Sequence, residues 1–165
     1  MPKIRGVLAR LNALVPRPNV KTGAGCWVDP RAKFLGGAIE LGDKVTIFRG
    51  AEILGPVSIG TETFLNRDAY VRPNVTIGKK VDIGAFCKFI TDDHEPGTPE
   101  RRAGKPIKKA ITIGDGAWIG AAVTVIGGVN IGPGATIGAG SVVVSDVPAH
   151  ETWAGVPAKR ISKNT

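Results

Sequence analysis

The feature that most constrains this chain is a six-residue repeat running from Ile113 to Val147. The stretch divides into IGDGAW, IGAAVT, VIGGVN, IGPGAT, IGAGSV and VVSDV, with an aliphatic residue at every sixth position and often a glycine after it. Four residues beyond each aliphatic comes a second small or apolar residue: Ala117, Val123, Val129, Ala135, Ser141 and Val147. A period of six suits neither an amphipathic helix nor a single plain strand. It suits a coil of short flat segments that turns one large side chain inward per hexad.

The same register extends backwards through Leu35, Leu41, Ile47, Ile53, Ile59, Leu65, Val71, Ile77, Ile83 and Phe89. Glu95 and Arg101 break it, and Ile107 restores it in phase. The sequence therefore predicts an all-β chain, a parallel β-helix of five to six coils over 35–148. A long excursion leaves it at about 91–106, where TDDHEPGTPERRAGKP is rich in Pro, Gly and charge. Such a coil is narrow and filled by side chains, so function belongs on its outer faces or in the excursion.

An open coil end exposes core and unpaired strand edges. In the lead-in, residues 1–34, Ile4, Val7, Leu8, Leu11 and Leu14 fall at helical spacing before Pro16 and Pro18. This predicts an N-terminal helix, either docked on the first coils or resting on a membrane surface. The closing segment, 149–165, predicts a short C-terminal helix over the last turn.

Hydrophobic residues are 42% of the chain but aromatics only 5%, so the core must be aliphatic. The 23 glycines would suggest disorder if scattered. They fall instead at fixed places in the hexad and mark turns. The net charge of +8 belongs either to a solvated surface or to attraction of anions. No zinc spacing or aromatic-interleaved basic run points to nucleic acid. Two cysteines make no disulfide framework, and no signal peptide or spanning segment is evident, so the default location is cytoplasmic.

The hexads, the His94 loop, the segment ITIGDGAWIG and the ending SVVVSDVPAHETWAGVPAKRI together resemble the hexapeptide-repeat acyltransferases. The nearest likeness is to galactoside, maltose and xenobiotic O-acetyltransferases and to bacterial polysaccharide acetyltransferases. The resemblance covers roughly Leu35 to Lys163. It implies a left-handed coil, an exception to the usual right-handed crossover. It also implies a homotrimer, acetyl-CoA as the donor, a carbohydrate acceptor, no metal, and active sites between subunits.

Residue by residue, the resemblance makes His94 the catalytic base, and the chemistry agrees. An acceptor hydroxyl is a poor nucleophile until its proton is taken, and imidazole suits that task near neutral pH. Asp92, Asp93 and Glu95 stand near enough in sequence to orient the ring. Asn66, Asp93, Glu95 and Arg101 are the candidate acceptor-binding residues. Arg101, with Arg102 and Lys105, either meets an anionic acceptor or solvates the loop. For the donor, the resemblance places Trp118 along the pantetheine arm, with Gly120, Ala121, Gly138 and Ala139 letting it lie against backbone. Pro157, Lys159 and Arg160 match the segment that meets the adenine and phosphates. Two departures stand out: Val144-Ser145 replaces a common Thr-Lys pair, and Ser162 replaces a basic residue.

The reading is an acetyl-CoA-dependent O-acetyltransferase acting on a carbohydrate hydroxyl by direct transfer. The alternatives are an N-acetyltransferase on an amino-sugar nucleotide and a non-catalytic scaffold. A γ-class carbonic anhydrase needs three histidines on zinc, and the chain has two histidines.

Overall fold

The structure is a computed structural model, and it describes residues 18–163. The helix expected over Ile4–Val15 lies outside these residues. Within them the chain is all strand and turn, with no helix. No described helix is thus long and apolar enough to cross a membrane.

The coil is a three-faced parallel β-helix. In chain order, each turn lays one short strand on a first face, one on a second and one on a third. The first face runs from Trp27–Val28 up to Glu151–Gly155 in seven parallel rungs. The coil thus has about seven turns, more than the five to six expected. At about 4.8 Å per rung the prism stands roughly 30 Å tall. On the second and third faces the long strands Lys33–Leu41 and Glu52–Ile59 bend round the shared corner, which joins those two faces into one sheet.

The hexad explains the closure. Ile47, Leu65, Ile83, Ile119 and Ile137 stack in one inward column, each at most 1% exposed. Every turn repeats this on the other two faces, for example Ile53, Val71, Phe89 and Val125 on the second. The smaller inward residues, such as Val45, Ala69, Ala117 and Ala135, fill the corners.

Three expectations need correction. Leu35 is 45% exposed and not a core position. The first turn holds one extra residue, taken up by a register shift between Gly36 and Ile39. That slip aligns Phe34 with Ile53 and turns Leu35 outward. Ile107 does not rejoin the coil either. It lies in the excursion opposite Asp93, and the coil resumes at Ile111 and Ile113, which pair with Val75 and Ile77. Finally, the closing segment is a β-hairpin, not a helix. Thr152 and Trp153 pair with Thr136 and Ile137 as one more rung, and Ala158–Lys163 folds back antiparallel against it. The top rung would otherwise leave its backbone groups unpaired, and a strand satisfies them where a helix would not.

Two neighbouring core positions at the root of the excursion make opposite predictions. Phe89 is fully buried, so Phe89→Ala should cost about 3–5 kcal/mol in denaturant unfolding. Thr91 is also fully buried, and its hydroxyl has no hydrogen-bond partner. Thr91→Val should therefore raise stability, by about 1 kcal/mol. A Thr91→Val chain less stable than wild type would show that the hydroxyl is satisfied.

Candidate active site

The excursion is an ordered ribbon where an irregular loop was expected. Strands Asp92–Thr98 and Arg101–Lys108 pair antiparallel, and their register shifts between His94 and Pro96. The ribbon leaves the coil at the corner between the second and third faces. Two ion pairs brace its root. Arg72, one rung below, grips the Asp92 carboxylate through Nε and Nη2 while its Nη1 donates to the Tyr70 hydroxyl at 3.0 Å. Lys109 Nζ meets Asp93 at 2.9 Å. The other Asp93 oxygen accepts the His94 backbone N–H at 2.8 Å. The Lys109 hydrogen bond, helped by that amide, holds the Asp93 carboxyl below the ordinary carboxylate range.

His94 itself is exposed, opposite Pro106 on the ribbon. Asp92 and Asp93, expected near its ring or the acceptor, are each turned to a cation. Glu95 and Arg101 are exposed further along the ribbon. A bulge of this kind increases twist and re-aims side chains beside it.

The donor-side candidates come together on the first face. Trp118 is 60% exposed. With Gly84, Gly120, Ala121, Gly138 and Ala139 it lines a groove of about 300 Å³. The smallness of the floor is required by the fold as well. A Cβ on Gly84 would come within 2.5 Å of the Ala121 nitrogen, and one on Gly120 within 2.5 Å of the Ala139 nitrogen. Behind the groove, Cys87 donates to the Gly120 carbonyl at 3.0 Å, and burial pushes its thiol pKa up. Burial also raises that of Cys26.

The closing hairpin is stitched to the groove's upper rim. Ser141 Oγ donates to the Gly138 carbonyl at 2.6 Å and accepts the Gly155 N–H at 3.1 Å. Trp153 Nε1 donates to Glu151 at 2.9 Å, and the other Glu151 oxygen pairs with Arg160 Nε at 3.2 Å. Arg160 is therefore partly engaged, whereas Lys159 and Pro157 are exposed. Asn66 sits lower on the first face, half-buried, and its Oδ1 accepts the Arg67 N–H at 2.8 Å. Sequence reasoning missed Arg72, Lys109, Ser141, Glu151 and Trp153. Their roles depend on which rungs lie above one another, which hexad counting alone does not supply.

The two halves start from different places on the prism. The groove occupies the first face and its corner with the second, while the His94 ribbon is rooted at the far edge of the second face. About five residues of strand, on the order of 16 Å, separate those corners.

Residues 110–145 match the family description "Bacterial transferase hexapeptide (six repeats)". The chain carries the hexapeptide repeat of bacterial transferases. This hexapeptide-repeat chain is 34% identical over 126 residues to the galactoside O-acetyltransferase of Escherichia coli, covering 70% of itself and 62% of that protein. It spans little more than half the length of other curated relatives that it matches. Among solved structures it is similar to a hexapeptide-repeat acetyltransferase of Vibrio cholerae complexed with acetyl coenzyme A. The TM-score is 0.66 at 25% identity, over 99% of this chain and 88% of that one. It is also similar to the GDP-perosamine N-acetyltransferase of Caulobacter crescentus in complex with CoA and GDP-perosamine. There the TM-score is 0.65 at 25% identity, over 86% of this chain and 58% of that one.

The Asp93 brace has a direct test. In carbon-13 NMR the Asp93 carboxylate should titrate below the ordinary aspartate value of about 3.9. Lys109→Met should move its midpoint up towards that value, because the cation that favours the charged form is gone. An unmoved midpoint would mean that Lys109 is not the cause.

Proposed function

We propose that the chain is an acetyl-CoA-dependent O-acetyltransferase that acts on a carbohydrate hydroxyl, with His94 as general base. The observation that carries this reading is the convergence of Trp118, Gly120, Ala121, Gly138 and Ala139 on one groove. A long groove with a bare floor and one aromatic wall suits a thin pantetheine arm. Lys159, exposed on the closing hairpin beside it, suits the donor's phosphates. The coil winds left-handed in this reading.

The transfer is direct. His94 takes the acceptor hydroxyl proton as the oxygen attacks the thioester carbonyl. The tetrahedral intermediate expels CoA thiolate, and the imidazolium returns the proton to sulfur, so no charge is left over. An acetyl-cysteine route fits poorly. Cys87 is buried in the coil with its thiol pKa raised, and the Cys26 thiol is raised too. CoA thioesters and two free thiols both suit the reducing cytoplasm.

The family resemblance implies a homotrimer, and the separate placement of the two halves supports a site shared between chains. The groove and the His94 ribbon of one chain point away from different corners, so a neighbouring chain's ribbon completes each groove. Heterologous contacts of this kind close into a ring of three where neighbours are related by a 120° rotation. Asn66, on the groove-bearing face, then stands on the acceptor side of the junction. An N-acetyltransferase on an amino sugar is the second reading, favoured by the likeness to the perosamine enzyme.

Calorimetric titration with acetyl-CoA separates an enzyme from a scaffold, and thiol release across paired hydroxyl and amino sugars separates O- from N-transfer. His94→Ala should lower kcat by about 10²–10⁴ with CoA affinity nearly unchanged. Near-normal turnover in His94→Ala would remove His94 from the chemistry.

A shared site makes a further prediction. Trp118→Ala should weaken CoA binding, and Lys159→Ala should do so by about tenfold or more. His94→Ala and Trp118→Ala chains, each impaired alone, should regain activity when unfolded and refolded together. Random assortment restores about a quarter of the sites if each site draws on two chains. No recovery, or a monomer that turns over, would sink the shared site.

A further inference from the structure

The ribbon that carries His94 also carries a recess that the donor groove leaves unused. The pairing of His94 with Pro106, Pro96 with Ala103 and Thr98 with Arg101 puts all six residues on one face of the ribbon. Thr98, Arg101, Ala103 and Pro106 of that face, together with Lys105, line a recess of about 440 Å³. Gly97, Gly104 and Ala103 are also in its lining and bring little bulk to it. Arg101 and Lys105 flank it, and both are exposed without a carboxylate partner among the described residues. The carboxylate nearest in sequence, Glu100, is held by its own backbone N–H and by the Thr98 side chain. Beyond the root, the ribbon has Arg101, Arg102, Lys105 and Lys108 against Glu95 and Glu100. The chain's charge of +8 adds long-range attraction for anions.

We infer that this recess is an anion subsite and that the acceptor is a phosphorylated sugar. The inference rests on the reading of His94 as the base that faces the acceptor. Lys105 adjoins Pro106, the cross-strand neighbour of His94, and Arg101 lies opposite Thr98, four residues along the strand. The recess therefore starts beside His94 and reaches about 13 Å from it. That span holds one sugar ring and a phosphate or diphosphate link. Two cations around a lining of little bulk suit an anion with several oxygens, and the arginine fork matches a phosphate edge.

The test uses the full chain with CoA saturating, so that the donor's phosphate positions are filled, and inorganic pyrophosphate as the probe. Calorimetry should show saturable binding that Arg101→Ala/Lys105→Ala weakens at least about tenfold. Lys44→Ala, which removes a lysine paired with Glu62 on the coil, should not change it. Thiol release is then compared for one hexose as its methyl glycoside and as its 1-phosphate. The phosphate should have the lower KM, and the double variant should raise that KM to the level of the glycoside. Absent pyrophosphate binding, equal loss in Lys44→Ala, or a lower KM for the neutral glycoside would overturn the inference. Failure of the transfer reading looks different: no acceptor releases thiol, while the pyrophosphate titration still reports on the recess. A hexose acid replacing the phosphate equally well would show a carboxylate subsite and overturn the phosphate assignment.

Discussion

Everything in this molecule depends on a column of inward aliphatic side chains that touch one another from rung to rung. Ile47, Leu65, Ile83, Ile119 and Ile137 each bury completely against the residue above and below. A short strand of two residues has almost no stability of its own. It is held because its neighbours in the stack pair with it on both sides and its one inward side chain fills the axis. The driving force is burial of apolar area, at about 25 cal/mol per Å², and it is spread evenly over the turns. No single site dominates. This is why the interior has no room for a ligand and why every candidate functional residue is found outside the coil wall.

The outer wall inherits its geometry from that column. Residues at an interval of 18 lie directly above one another, as Gly120 and Gly138 do, or Ala121 and Ala139. A run of small outward residues in successive rungs therefore becomes a groove without any further instruction. Trp118 gives the groove its wall because the rung above presents Thr136 and the rung below Asp82. The closing hairpin then fixes the upper rim through Ser141, whose hydroxyl ties a groove carbonyl to the chain's last turn.

This stacking rule also marks what could be seen in the sequence. The inward columns from Leu41 to Phe89 and from Ile113 to Val143 were legible because each hexad obeys one period. Leu35 misled because a one-residue slip leaves the period looking intact while it flips the side chain. Ile107 misled because it fell in phase by coincidence inside the ribbon. The closing hairpin was hidden because Trp153 follows Ile137 by 16 residues, out of step with the 18-residue turn. In the site, the groove positions were named from the family resemblance, and the turn interval explains why they meet on one face. The braces were not: Arg72 reaches Asp92 and Ser141 reaches Gly155 across offsets that no period announces. Such contacts are set by which corner the chain leaves, and composition says nothing of that.

The ribbon shows how the coil tolerates an insertion at all. Between Ile77 and Ile113 lie two turns' worth of residues, yet the two pair directly in adjacent rungs. The ladder is therefore unbroken, and the core below and above the ribbon has the same depth. The chain departs after Thr91 and returns at Lys109, whose N–H donates to the Thr91 carbonyl at 2.9 Å. Closing that gap with a backbone hydrogen bond, and flanking it with the Arg72 and Lys109 ion pairs, separates the ribbon's conformation from the stability of the coil. Residues on the ribbon bury little and so are free to be chosen for charge and chemistry. The same separation has a cost in precision. Beyond that root, among the described residues, the ribbon is held by its own antiparallel ladder alone.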